Sequence, residues 1–82
     1  MRIGIEPPII TDYPSLRRAM ALHRQKLGIS QIAFDDLSGL QTGYTGKLEC
    51  GLKHYGEMSL AVTLAGLGLA LVPVLHGNPV KL

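Results

Sequence analysis

Apolar residues along this chain recur first at helical spacing and later in an almost unbroken run, with glycines marking the changes of element. Leu16, Met20, His23 and Leu27 fall three and four positions apart, the spacing that places side chains on one helix face. Thr11 or Asp12 can cap the start of that helix, and Pro14 suits its first turn, where N–H groups lack helical partners. A first helix is therefore predicted up to about Leu27, with Gly28 ending it. Ser30 offers the next N-cap, and Ile29 and Phe34 stand at the offsets of a hydrophobic staple around it. Gly39 marks a sharp turn, since a residue without Cβ takes φ > 0 without strain. Gln41 or Thr42 then begins another short helix, which Gly51 closes. Gly43 and Gly46 fall inside this predicted helix, each weakening it by about 1 kcal/mol relative to alanine. Ser59 can cap a fourth helix over about residues 60–65, with Leu60, Leu64 and Leu67 turned toward the core.

The chain ends differently. Residues 69–75, LALVPVL, are apolar at every position, so both faces of a strand there would seek burial. A lone strand leaves an aggregation-prone edge. Pairing with the same strand of a second subunit about a two-fold axis is one remedy; pairing with a short strand at residues 2–5 is the other. Pro7 and Pro8 interrupt any regular element after that short strand. The expected organisation is an extended arm over residues 1–12, a helical domain over 13–67, a dimerisation strand over 68–76 and a tail over 77–82. Leu69, Leu71, Val72 and Val74 are the expected dimer contacts. The fold class is mainly α, with four to five helices and a C-terminal β-strand paired across a dimer.

Composition narrows the chemistry. At 82 residues a single core is marginally stable, and dimerisation is a common remedy. The chain is 46% hydrophobic and 17% charged, the balance of a globular rather than a disordered segment. Its net charge of +2 says less than its distribution. Arg17, Arg18, Arg24 and Lys26 cluster on the first helix, and Lys47 and Lys53 follow later, positions from which cations can meet phosphate. The single cysteine, Cys50, cannot form an internal disulfide, which fits a reducing cytoplasm. With His23, His54 and His76 it shows no metal-ligand spacing, so neither a metal nor another cofactor is expected. No charged start precedes a long apolar run, so no signal peptide is expected. Residues 60–75 fall short of the ~20 needed to span a membrane and are broken by Gly66, Gly68 and Pro73. Asp35 and Asp36 are helix neighbours that point apart, and no serine or cysteine has a base at motif spacing. An enzyme is not expected.

Two short helices joined by a glycine turn suit the DNA major groove, with the second helix inserted. Gly28, Ile29, Ser30, Gln31, Gly39, Leu48, Glu49 and Gly51 stand in the unbroken spacing that resembles the Cro/XRE-type helix-turn-helix family of phage repressors and bacterial regulators. The likeness covers residues 16–67 and implies a lambda-repressor-like domain. It also implies roles. Gln31 would contact backbone phosphate or buttress the recognition helix. Gln41, Thr42, Gly43, Tyr44 and Lys47 would lie on the first turns of that helix, residues 41–50, where base edges are reached. Lys47 could donate to guanine O6 and N7 or to phosphate, the Tyr44 hydroxyl could meet a phosphate oxygen, and Lys53 would add a further DNA contact. Arg24 and Glu49 would form a bidentate structural bridge. Asp35 departs from the family pattern, which has a small apolar residue there; either the helix is rotated or Asp35 has a partner among Lys53, His54 and the Tyr44 hydroxyl. The expected function is sequence-specific DNA binding as a homodimeric transcriptional repressor. The alternative is an antitoxin-like interaction module with a toxin partner, in which DNA binding is secondary or lost.

Overall fold

The computed structural model describes residues 9–80, which hold four helices: α1 (Tyr13–Lys26), α2 (Gln31–Ser38), α3 (Tyr44–Cys50) and α4 (Glu57–Leu67). The suggested strand at residues 2–5 lies outside the described residues. Asp12 caps α1 by accepting from the Ser15 N–H at 2.8 Å, with Pro14 in the first turn. Ser30 caps α2 in the same way through the Ala33 N–H, 3.1 Å away. Ile29 packs against the buried cluster that contains Phe34.

α3 packs on both α1 and α2, and α4 also packs on both. The core is small. Met20, Phe34 and Leu67 form its buried centre, and Leu16, Ile29, Leu40, Tyr55, Leu60, Leu64 and Leu69 pack around them. Leu48 is also fully buried. Leu27 does not belong to this core: it sits at the C-cap of α1, exposed, because the helix ends before bringing it round to the buried face.

Three further boundaries differ from the sequence pattern, each for a local reason. Gln41, Thr42 and Gly43 precede α3 instead of opening it. The Tyr44 N–H donates to the Gln41 carbonyl at 2.9 Å, and Gly43 takes φ 91°, a conformation in which a Cβ would be strained. Gly43 is thus the residue that aims α3, and it costs the helix nothing from within. α4 begins at Glu57, earlier than expected, and runs to Leu67. Ser59 is its third residue, and its Oγ accepts from the Gly56 N–H at 2.8 Å, a reach back across the first turn. The third difference is the absence of a strand among the described residues: residues 69–76 run without a turn, bend or ladder partner. A strand exists only by pairing, and the described part of this chain supplies no neighbour.

Gly66 lies inside α4, where glycine is unfavourable. Its reason is tertiary: a Cβ there would fall 2.7 Å from Phe34 Cζ and 2.9 Å from Ser38 Oγ. α4 approaches α2 over the only side chain small enough to permit it. Gly66→Ala should therefore lower unfolding free energy by roughly 1–3 kcal/mol through overpacking, despite alanine's better helix propensity. Urea denaturation checks this, and a stabilised variant would contradict the contact.

Candidate nucleic-acid interface

α3 has only seven residues, too few to hold its own geometry, and its environment does that instead. At its C-terminal half, Glu49 meets Arg24 of α1: Arg24 Nε donates to Glu49 Oε2 at 2.7 Å and Nη2 donates to Oε1 at 2.9 Å. The two side chains are 8% and 10% exposed. Arg24 Nη1 donates to the Ile29 carbonyl at 2.6 Å, and Gln31 Nε2 donates to Glu49 Oε1 at 2.8 Å. One carboxylate thereby gathers α1, the start of α2 and α3. Hydrogen bonding to Glu49 raises the Arg24 pKa above its already high ordinary value, against the opposing effect of burial. Gln31 reaches Glu49 across Gly46, where a Cβ would lie 3.2 Å from its Oε1. Gly46 leaves room for that amide.

At the N-terminal end a second carboxylate acts. Asp35 is 1% exposed. Its Oδ2 accepts from the Gly43 N–H at 2.8 Å and its Oδ1 accepts from the Thr45 N–H at 2.9 Å. Gly43 has no side chain with which to cap α3, so the cap comes from α2. The negative charge also sits at the favourable end of the helix dipole. The sequence leaves Asp35 either on a rotated helix or with a partner among Lys53, His54 and the Tyr44 hydroxyl; its hydrogen bonds come instead from two backbone N–H groups. Lys53 Nζ lies 5.6 Å over the Tyr44 ring, and His54 packs edge-on to Tyr13 at 5.3 Å. No spacing rule would have revealed this cap, because its two donors are backbone groups eight and ten residues away.

The outward side of this unit carries the remaining candidates. Gln41, Thr42, Lys47 and Lys53 are exposed, and Tyr44 is half-buried. Lys47 stands one turn above Gly43, to whose carbonyl its N–H donates at 3.2 Å. Gln31 does not share this freedom, since its amide is engaged by Glu49. The basic cluster of α1 also divides. Arg24 is consumed by the ion pair, and the Arg17 guanidinium lies 5.1 Å from the Tyr13 ring centroid, leaving Arg18 and Lys26 exposed. Cys50 is exposed, with Sγ 3.6 Å from the Lys47 carbonyl. Among the described residues no cluster of His, Cys, Asp and Glu could hold a metal ion, and no helix is long and apolar enough to cross a membrane.

Tyr55 closes the inner side. Its N–H donates to the Tyr13 hydroxyl, and its own phenol is pushed up to about 12, first by burial and then by the nearby Glu49 charge.

Two sets of expectations follow from this geometry. Glu49→Ala should lower stability by roughly 3–5 kcal/mol, because it strands a buried guanidinium. Asp35→Ala should cost about 2 kcal/mol by removing the cap of α3. Glu57→Ala and Asp36→Ala, at exposed sites, should stay within about 0.5 kcal/mol of the parent. Equal melting temperatures across the four variants would refute the assignment. A phenol pKa raised on folding contributes stability that is intact below pH ~10 and lost as pH rises through about 12. Alkaline unfolding should therefore weaken in Tyr55→Phe, and ultraviolet titration should lose a phenol that ionises near 12.

Neither a protein-family model, nor a curated protein, nor a solved structure matches the chain. The family likeness of residues 16–67 therefore rests on the motif residues themselves.

Proposed function

We propose that this chain binds double-stranded DNA through α3 and acts as a homodimeric transcriptional regulator of the Cro/XRE helix-turn-helix type, most simply a repressor. The observation that carries this reading is the division of α3 into two sides. Its inner side is fixed by Asp35 at one end and by Glu49, Arg24 and Gln31 at the other. Its outer side, with the turn before it, presents Gln41, Thr42, Tyr44 and Lys47 beside Lys53. A helix held from behind with polar and cationic groups in front is what reading a groove requires.

In this reading Lys47 donates to guanine O6 and N7 or to a phosphate, and Gln41 and Thr42 meet base edges or backbone from the turn. Tyr44 and Lys53, stacked together, meet phosphate. Gln31 buttresses, because its amide already serves Glu49. The reading face has few side chains, so phosphate contacts supply much of the affinity. Two copies related by a two-fold axis would read half-sites about one DNA turn, ~34 Å, apart. A second reading, an antitoxin-like module that docks an unlike protein, is favoured by the exposed Leu71, Val72, Val74 and Leu75.

The test is selection from a random duplex pool at two salt concentrations, followed by sequencing. The expected result is an enriched palindrome whose affinity falls steeply with salt. Lys47→Ala should weaken that binding by about tenfold or more, and Gln31→Ala should weaken it through helix orientation. Absence of binding at low salt would overturn the DNA reading in favour of the interaction module.

A further inference from the structure

The loop that follows α3 is tied down on both sides of Lys53. Gly51, with φ 87°, turns the chain back as it leaves the helix. The Lys53 N–H then donates to the Lys47 carbonyl of α3 at 3.0 Å. The Tyr55 N–H donates to the Tyr13 hydroxyl of α1, and the Gly56 N–H donates to Ser59 Oγ of α4 at 2.8 Å. Between them His54 packs edge-on to Tyr13. Residues 53–56 are thereby fastened to three helices, and the Lys53 side chain departs from a fixed backbone.

That side chain is held as well. Lys53 follows the end of α3 by three residues, yet its ammonium lies 5.6 Å from the ring centroid of Tyr44, the first residue of α3. The lysine therefore reaches back along the helix. Tyr44 is half-buried and Lys53 exposed, so the ring is the fixed member of the pair and the ammonium the one open to solvent. Among the described residues the one ion pair is that of Arg24 with Glu49; no carboxylate there competes with the ring for Lys53. A ring face attracts a cation through its quadrupole and carries no net charge. It can place an ammonium without neutralising it, and the three N–H donors of the ammonium stay available to an anion.

We infer that Tyr44 is a positioning residue, whose ring face holds the Lys53 ammonium beside the start of α3 in readiness for a DNA phosphate. This rests on the DNA reading above and divides the work within it: Lys53 touches the phosphate, and Tyr44 acts through Lys53. The physical gain is entropic. A free lysine side chain samples many rotamers, and binding must remove that freedom. An exposed cation–π contact corresponds to about a two- to fivefold preference for the held position, and a phosphate that meets the held lysine is spared that part of the cost. A carboxylate at position 44 would hold Lys53 and cancel the charge the phosphate needs. An aliphatic side chain would do neither.

The test has one arm without DNA. In the full chain the Tyr44 ring current should move the ε-methylene proton resonances of Lys53 upfield. Tyr44→Phe should keep that shift and Tyr44→Leu should abolish it, with helical circular dichroism unchanged in both. The other arm measures binding of a short duplex of arbitrary sequence over a series of low salt concentrations. Lys53→Ala should lower the salt slope by about one. Tyr44→Leu should weaken binding about two- to fivefold, and the conservative Tyr44→Phe should restore it. Once Lys53 is alanine, Tyr44→Leu should cost nothing further, the mark of a residue that works through its neighbour. Absence of the upfield shift would overturn the proposal whether or not the chain binds DNA. Equal losses of binding in Tyr44→Phe and Tyr44→Leu would overturn it too, by assigning the phosphate contact to the hydroxyl. So would a Tyr44→Leu loss that persists in full beside Lys53→Ala. A chain that shows the shift and binds no duplex defeats the DNA reading, and the phosphate role of Lys53 falls with it.

Discussion

The orientation of α3 depends on two buried carboxylates, and much else in the domain follows from them. Helices shorter than about 12 residues are marginal by themselves, and α3 has seven residues, one of them Gly46. Asp35 supplies acceptors at its N-terminal end, and Glu49 ties its C-terminal half to Arg24 and Gln31. Burying charge is costly unless every lone pair finds a donor. Here Glu49 receives three donors from two other elements, and Asp35 receives two from one backbone. The local geometry that satisfies them is narrow, so it specifies an angle between helices more than it adds stability.

That arrangement divides polar residues into those consumed inside and those left outside. Arg24 and Gln31 are drawn into the Glu49 network, and Arg17 stacks on Tyr13. Lys47, Gln41 and Thr42 remain free. A cationic composition by itself would have assigned the same role to all of them. Preorganisation of this kind lets a short helix present side chains at low entropic cost, since the backbone is already ordered before a ligand arrives.

The other constraint is the size of the core. Three buried apolar side chains at its centre leave a domain of this length with little surplus, which is the regime in which small chains gain from association. The apolar run from Ala70 to Leu75 is exposed, and among the described residues no backbone hydrogen bond engages it. A second copy would supply both the missing hydrogen bonds and the missing burial.

Much of the helical plan was legible in the chain itself. Asp12, Ser30, Gly39 and Gly51 mark ends of α1, α2 and α3 because caps and left-handed closures are satisfied within a few residues, so local spacing suffices to find them. Met20 and Leu67 were legible as core from helical spacing, and Phe34 from its staple offset to Ile29. The rest was decided by contacts between elements. Gly43 reads as a helix interior until Asp35 is seen reaching its N–H from α2. Gly66 reads as a helix breaker until Phe34 is found where its Cβ would be. Residues 69–75 read as a strand, but a strand's hydrogen bonds belong to two segments, and one segment cannot declare its neighbour. By itself the sequence determined the caps that open α1 and α2 and the glycines that close α2 and α3, because those bonds are local. Only the tertiary structure decided which carboxylate caps α3, which cations stay free and which glycine is irreplaceable, because those depend on distances between residues far apart in the chain.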